Sequence, residues 1–293
     1  MDFGSVITAM VTPFDARGEV DYGRAGELAR FLVENGSDGV LVAGTTGESP
    51  TLSLQERTRL LEVVLEAVGE RALVMAGTGT NATADSIYLT KRAEAIGAHA
   101  ILLVTPYYNK PPQDGLYEHF AAIARATRLP VMLYNVPGRT SVNLAPPTVA
   151  RLAKIENIVA LKEASGSLDQ MSELRRATPP DFMIYSGDDS LTLPMMACGA
   201  RGVVSVISHV AGRAVREMCE HFRAGRLADA RDRHLRLYPL AKALFVTTNP
   251  IPVKAALELI GFPVGGVRPP LCPPGEKELA VIRGALAELE LLK

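Results

Sequence analysis

Ile158-Val159-Ala160-Leu161-Lys162-Glu163-Ala164-Ser165-Gly166 places an ammonium at the end of an apolar run. The run has the length and branching of a buried strand. A charge that directly ends such a strand is costly unless it is paired, or neutral and chemically useful. A desolvated lysine gives up its proton more easily and can attack a carbonyl to form a Schiff base. Taken alone, Lys162 also reads as a strand-edge residue snorkelling to water. Four other strand-like runs end in reactive or anion-binding groups as well, and that company favours the chemical reading.

Outward from this stretch, short apolar runs alternate with longer amphipathic segments almost to residue 225. Strands are predicted at Val6–Met10, Gly39–Ala43, Leu73–Ala76, Ala100–Val104, Val131–Tyr134, Ile158–Lys162, Met183–Tyr185 and Gly202–Val206. Helices are predicted near 22–35, 54–69, 82–96, 113–127, 146–153, 168–177, 189–198 and 210–224. In the segment 54–69, Leu54, Leu60, Leu61, Val64, Leu65 and Val68 form one stripe, with Gln55, Glu56, Arg59, Glu62 and Glu66 largely outside it. Eight β/α pairs in about 220 residues predict a (β/α)₈ TIM barrel over residues 1–225. An open doubly wound sheet is the rival, but Gly77-Thr78-Gly79-Thr80 does not complete its dinucleotide fingerprint. After Arg226 the alternation stops. Leu227–Thr247, Ile251–Leu259 and Glu276–Leu291 read as helices of a C-terminal helical appendage over 226–293, suited to assembly or stabilisation.

Composition narrows the function classes. The chain has 293 residues, 47% of them hydrophobic, and 31 basic against 32 acidic residues, so no global field draws it to nucleic acid or anionic lipid. Its default partner is a small molecule. Met1-Asp2-Phe3 opens with no basic, signal-like segment, and no apolar run approaches the ~18 residues of a membrane span. Cys198, Cys219 and Cys272 are odd in number and widely spaced, which reads as free thiols in a reducing cytoplasm. The five histidines have no metal-ligand spacing, so no metal site is expected.

In a (β/α)₈ barrel the C-terminal strand ends carry the active site. The second strand ends in Gly44-Thr45-Thr46-Gly47-Glu48, which reads equally as an anion cradle of backbone N–H groups and as a turn with a helix cap. The fourth ends in Thr105-Pro106-Tyr107-Tyr108-Asn109, the fifth in Tyr134-Asn135-Val136-Pro137-Gly138-Arg139-Thr140. A planar guanidinium at Arg139 suits a carboxylate, although an interface ion pair is the plainer reading of that residue alone. The seventh ends in Ser186-Gly187-Asp188-Asp189, where Gly187 allows close backbone approach and the two aspartates read as helix caps. Amine, phenol, hydroxyls, anion cradle and arginine together suit condensation or cleavage of a 2-oxo acid through an imine, with neither metal nor organic cofactor.

From Ile7-Thr8-Ala9 to Asn249-Pro250-Ile251-Pro252-Val253-Lys254, the chain resembles the class I, Schiff-base aldolase family of dihydrodipicolinate synthases and N-acetylneuraminate lyases. Gly44-Thr45-Thr46-Gly47-Glu48, Tyr134-Asn135-Val136-Pro137 and Lys162-Glu163-Ala164 carry the resemblance. Thr105-Pro106-Tyr107-Tyr108 and Gly138-Arg139-Thr140 point to the synthase branch. The resemblance implies that Lys162 forms an imine with pyruvate, that Thr45 and Thr46 hold its carboxylate, and that Tyr134 is the central acid/base. It implies a relay from Tyr134 through Thr46 to Tyr108, a phenol contributed by the neighbouring subunit, with Tyr107 packing at the same interface. Arg139 would hold the carboxylate of L-aspartate 4-semialdehyde, and backbone carbonyls near Gly187 and Val204 would complete the pocket. A cytoplasmic homotetramer, built as a dimer of dimers, is implied too.

Feedback-inhibited family members bind free lysine near positions matching Ser49, Pro50, Leu54, Arg57, Asn81, Asp85 and Tyr107. Leu54 and Arg57 stand where enteric-type members carry histidines, so weak or absent inhibition is expected. A sister aldolase acting on a sugar-derived 2-oxo acid is the same-class alternative, opposed by Arg139. A non-catalytic barrel that binds a 2-oxo acid is the alternative of another class.

Overall fold

The structure, a computed structural model, describes residues 2–292, so the reading at Met1 falls outside it. Among the described residues, strands and helices alternate as β1 (Val6–Ala9), α1 (Tyr22–Glu34), β2 (Gly39–Val42), α2 (Leu54–Val68), β3 (Leu73–Gly77), α3 (Thr83–Ile96), β4 (Ala100–Val104) and α4 (Gln113–Arg125). The series continues with β5 (Val131–Asn135), α5 (Pro137–Thr140), α6 (Pro146–Leu152), β6 (Ile158–Glu163), α7 (Leu168–Ala177), β7 (Met183–Ser186), α8 (Thr192–Ala197), β8 (Gly202–Ser205) and α9 (Ser208–Arg223). Three C-terminal helices follow: α10 (Leu227–Ala243), α11 (Ile251–Leu259) and α12 (Glu276–Glu288). The strands close in chain order into a parallel β-barrel, the fold the alternation predicts.

The chain forms two compact units, one running through Leu73 and resuming at Ser205, the other spanning Val74–Val204. The boundary expected near residue 225 lies inside the first, between α9 and α10. In that first unit, β1 and β2 are buried along their whole length and pair from Ile7↔Gly39 to Ala9↔Leu41. Burial on both faces explains why these strands read as continuous apolar runs rather than alternating ones. Helix α1 buries Ala25, Leu28, Ala29 and Leu32, and α2 buries Leu60, Leu61, Val64 and Val68, the spacing of single helical faces. Ser53 and Glu56 form a capping box that fixes the start of α2.

In the second unit, β5 and β6 lie side by side with Tyr134 opposite Lys162 and Asn135 opposite Glu163. On its other edge β6 sets Lys162 opposite Tyr185 of β7. Three local readings are corrected. The predicted helix 189–198 splits into a 3₁₀ turn (Asp189–Leu191) followed by α8. Helix α10 stops at Ala243 rather than Thr247, its last turn closed by the Leu244 N–H on the Leu240 carbonyl, before β-branched Thr247-Thr248 and the Asn249-Pro250 stop. Helix α12 stops at Glu288 rather than Leu291, and Glu290 lies in the left-handed region at φ 57°.

Candidate active site

Lys162 is the penultimate residue of β6 and only 5% exposed. Strand register brings its Nζ over the ring of Tyr134, 4.3 Å from the centroid. Burial pushes the Lys162 ammonium down to about 8; the Asp189 carboxylate opposes that shift and the Arg139 guanidinium adds to it. Gly187 makes room for the lysine stem, because a Cβ there would lie 3.1 Å from both Cγ and Cε of Lys162 and 2.7 Å from the Ala164 Cβ. The Gly187 N–H donates to the Glu163 carbonyl at 2.7 Å, continuing the ladder past the strand end.

A polar network absent from the sequence reading braces the opposite face of these strands. Asn135 Nδ2 donates to Glu163 Oε2 at 3.0 Å and to Asn143 Oδ1 at 2.8 Å. Gln170 Nε2 donates to Glu163 Oε2 at 3.2 Å, and the Ser165 N–H donates to Glu163 Oε1 at 2.6 Å. A buried carboxylate is tolerated when its oxygens are filled in this way. Because side chains alternate along a strand, anchoring Asn135 and Glu163 fixes the aim of their neighbours Tyr134 and Lys162. The Thr105 hydroxyl adds a bond to the Tyr134 carbonyl at 2.8 Å.

Arg139 is exposed on the single turn α5 rather than on a plain Pro-Gly turn, and Ser141, at φ 58°, ends that turn. Asp188 caps the following 3₁₀ turn as expected, accepting from the Ser190 N–H. Asp189 does not cap; it is buried and bears electrostatically on Lys162. Val204 is buried in β8. Tyr107 is half-buried, whereas Tyr108 is 90% exposed at φ 74°. A phenol so displayed touches little of its own chain.

In the first unit, Thr46 is buried and Thr45 half-buried after β2, between Ala43 and Glu48, both held at φ 54°. Thr46 Oγ1 accepts from Asn249 Nδ2 at 2.8 Å. Glu48 Oε1 meets Lys254 Nζ at 2.6 Å, the two side chains being 1% and 3% exposed. Burial pushes Lys254 down to about 8 against the pull of Glu48. Geometry separates this buried lysine from Lys162: its Nζ also donates to the Gly266 carbonyl at 2.7 Å and lies 4.1 Å from the Phe14 ring centroid. Lys254 is therefore held by an ion pair and a hydrogen bond, whereas Lys162 faces the Tyr134 ring.

Among the expected effector positions, Ser49 opens a 3₁₀ turn (Ser49–Thr51) whose carbonyl accepts from the Arg57 guanidinium, and Asp85 is exposed in the first turn of α3. The Asn81 carbonyl accepts from Asn109 Nδ2 at 2.8 Å.

A parallel barrel with a desolvated lysine near the C-terminal end of one strand, set against a tyrosine ring, defines a (β/α)₈ protein with a buried amine suited to carbonyl chemistry. The family model for the dihydrodipicolinate synthetase family matches residues 2–289, and the chain belongs to that family. A 4-hydroxy-tetrahydrodipicolinate synthase of Desulforamulus reducens is 56% identical over 293 residues, covering 100% of this chain and 99% of the relative. The solved DHDPS of Cyanidioschyzon merolae, with lysine bound, superposes at a TM-score of 0.97 with 52% identity, covering 99% of each chain. A dihydrodipicolinate synthase of Bacillus anthracis superposes at 0.96 with 49% identity over 98% of each chain.

Proposed function

We propose that the protein is a 4-hydroxy-tetrahydrodipicolinate synthase that condenses pyruvate with L-aspartate 4-semialdehyde. The observation that carries the reading is the buried Lys162 amine, depressed to about 8, at 4.3 Å from the Tyr134 ring. Full-length relatives of that name support it. The neutral Lys162 amine adds to the pyruvate ketone and expels water, leaving a protonated imine. That imine draws electrons from the adjacent methyl, which loses a proton to give an enamine. The enamine carbon attacks the aldehyde, forming the new C–C bond and an alcohol. Attack of the substrate's own amine on the imine carbon then closes the ring and releases Lys162.

Tyr134 moves the protons, relayed through Thr46 and the Tyr108 of a neighbouring subunit. Thr45 and Thr46 hold the pyruvate carboxylate, and Arg139 holds that of the semialdehyde, with carbonyls near Gly187 and Val204 completing the pocket. The exposure of Tyr108 supports a role outside its own chain. We assign catalysis to residues 1–225 and assembly to 226–293, where Leu235, Tyr238, Phe245 and Val246 expose apolar surface. A homotetramer in the cytoplasm fits this picture; among the described residues no helix is long and apolar enough to cross a membrane. The Cyanidioschyzon merolae relative was solved with lysine bound; here the cation of Arg57, at an effector position, argues for weak inhibition.

A coupled assay with pyruvate, L-aspartate 4-semialdehyde, dihydrodipicolinate reductase and NADPH tests the reading. Brisk NADPH oxidation is expected. Pyruvate trapped by borohydride without turnover would keep the imine and overturn the aldehyde partner.

A further inference from the structure

The loop after β2 is held in a conformation that its own sequence does not favour. Ala43 and Glu48 both sit at φ 54°, where a residue with a Cβ is strained. Such backbone persists only when its surroundings over-determine it. The surroundings come largely from one distant segment. Asn249, just before α11, donates to the Thr46 hydroxyl at 2.8 Å, and Lys254, within α11, pairs with Glu48 at 2.6 Å. The second oxygen of Glu48 accepts from the Arg268 N–H at 2.9 Å. The Thr12 hydroxyl donates to the Gly47 carbonyl at 2.6 Å. A Cβ at Gly47 would press on the Met10 carbonyl at 3.1 Å, so the loop has little room to shift.

A buried ion pair is weak evidence for stability, because an apolar pair of similar volume often does as well. What it supplies is a fixed distance and direction. With Asn249 donating to Thr46 Oγ1, the Thr46 hydroxyl keeps its own proton to donate elsewhere. We infer that Asn249, Lys254 and Glu48 are positioning residues: they hold the Thr45-Thr46 loop so that its donors meet the carboxylate of a 2-oxo acid. Asn249 sets the direction of the Thr46 hydroxyl, and the Glu48–Lys254 pair sets the loop backbone. This inference rests on the reading of Thr45 and Thr46 as the carboxylate cradle.

The test uses the full-length enzyme carrying Glu48→Gln with Lys254→Met, a pair chosen to leave no uncompensated buried charge. Pyruvate KM, semialdehyde KM, kcat at saturating pyruvate and melting temperature are measured. Pyruvate KM should rise about tenfold or more, as expected when a cradle is displaced by a fraction of an ångström. The semialdehyde KM and kcat should move less than about threefold, a split that general loosening would not give. Asn249→Ala, which removes the donor to the Thr46 hydroxyl, should raise pyruvate KM several-fold while the semialdehyde KM moves less than about threefold; this variant keeps the test open should the double variant fold poorly. Pyruvate KM within twofold of the parent in the folded double variant, or in Asn249→Ala, would overturn the positioning role. Thr45→Val with Thr46→Val separates the two ideas. Parental pyruvate KM in that variant would remove the two hydroxyls from the cradle, whereas a raised KM there alongside an unmoved Glu48→Gln/Lys254→Met would sink the positioning role alone.

Discussion

The Nζ of Lys162 lies 4.3 Å from the ring centroid of Tyr134, and the two residues are direct register partners on adjacent strands. One strand pairing thus sets an amine beside a phenol without help from a flexible loop. Sites carried on strands hold their geometry better than sites carried on loops. The barrel therefore provides the orientation, and burial weakens the amine's hold on its proton.

Replacing Lys162 with Met should abolish borohydride trapping of pyruvate while raising thermal stability. The folded-state pKa of about 8 lies below the ordinary lysine value of 10.5, so the protonated group is penalised by folding. The penalty is fully present below pH 8 and fades as pH rises toward 10.5. At neutral pH it is on the order of 3 kcal/mol, less whatever the new side chain loses in packing. Calorimetry at pH 7 should show a higher Tm than the parent's, by a margin that shrinks at pH 10. A Tm difference that does not shrink between pH 7 and pH 10 would mean that folding does not penalise the ammonium.

The same shift predicts the acid limb of the reaction. Only the neutral amine attacks, so the single-turnover trapping rate should rise about tenfold per pH unit below 8 and level off above it. Stopped-flow quench at subsaturating pyruvate reads this directly. A limb that levels only near 10 would show that burial does not activate Lys162.

Arg139→Ala should raise the semialdehyde KM about tenfold or more, the loss expected when a charge-assisted contact to a carboxylate is removed. Pyruvate trapping should survive. Because the Arg139 charge depresses Lys162, the acid limb should also move to higher pH. An equal loss of pyruvate binding would give the arginine a different role.

Tyr108, 90% exposed in its own chain, should act in a neighbour's site. Tyr108→Phe and Lys162→Ala should each be nearly inactive. Refolded together, they should recover roughly a quarter of parental activity, since half the dimers of a symmetric pair would be mixed and each would hold one complete site. No recovery on mixing would place the phenol in the site of its own chain.

The strands were legible because both their faces are buried, which leaves uninterrupted apolar runs such as Ile158–Leu161 before Lys162 and Glu163. Tyr134 and Lys162 were read as strand ends, and each strand runs one residue further, to Asn135 and Glu163. The Asn135–Glu163 brace was not, because only strand register puts those side chains on a common face. Glu48 and Lys254 lie far apart along the chain, and Lys254 is one cation in a helix that otherwise reads as apolar packing. Helix α5 escaped notice because Pro137-Gly138 reads as a turn, and the four residues Pro137–Thr140 are too few to show a period.

L-Lysine should inhibit weakly or not at all. The Arg57 guanidinium donates to the Ser49 carbonyl and, at 3.4 Å, to that of Leu52, so it is tied to the turn that bears the expected effector residue Ser49. A second cation brought to within 4 Å would be repelled by about 1 kcal/mol in water and by more in a partly buried setting. Removing Arg57 would free those carbonyls as well as the charge. Titration of L-lysine into the coupled assay should give half-inhibition above ~1 mM. Leu54→His with Arg57→His should tighten it by about tenfold, the factor that corresponds to removing one such repulsion. Sub-millimolar inhibition of the parent, unaltered by the two substitutions, would show that lysine binds elsewhere or that Arg57 swings clear of it.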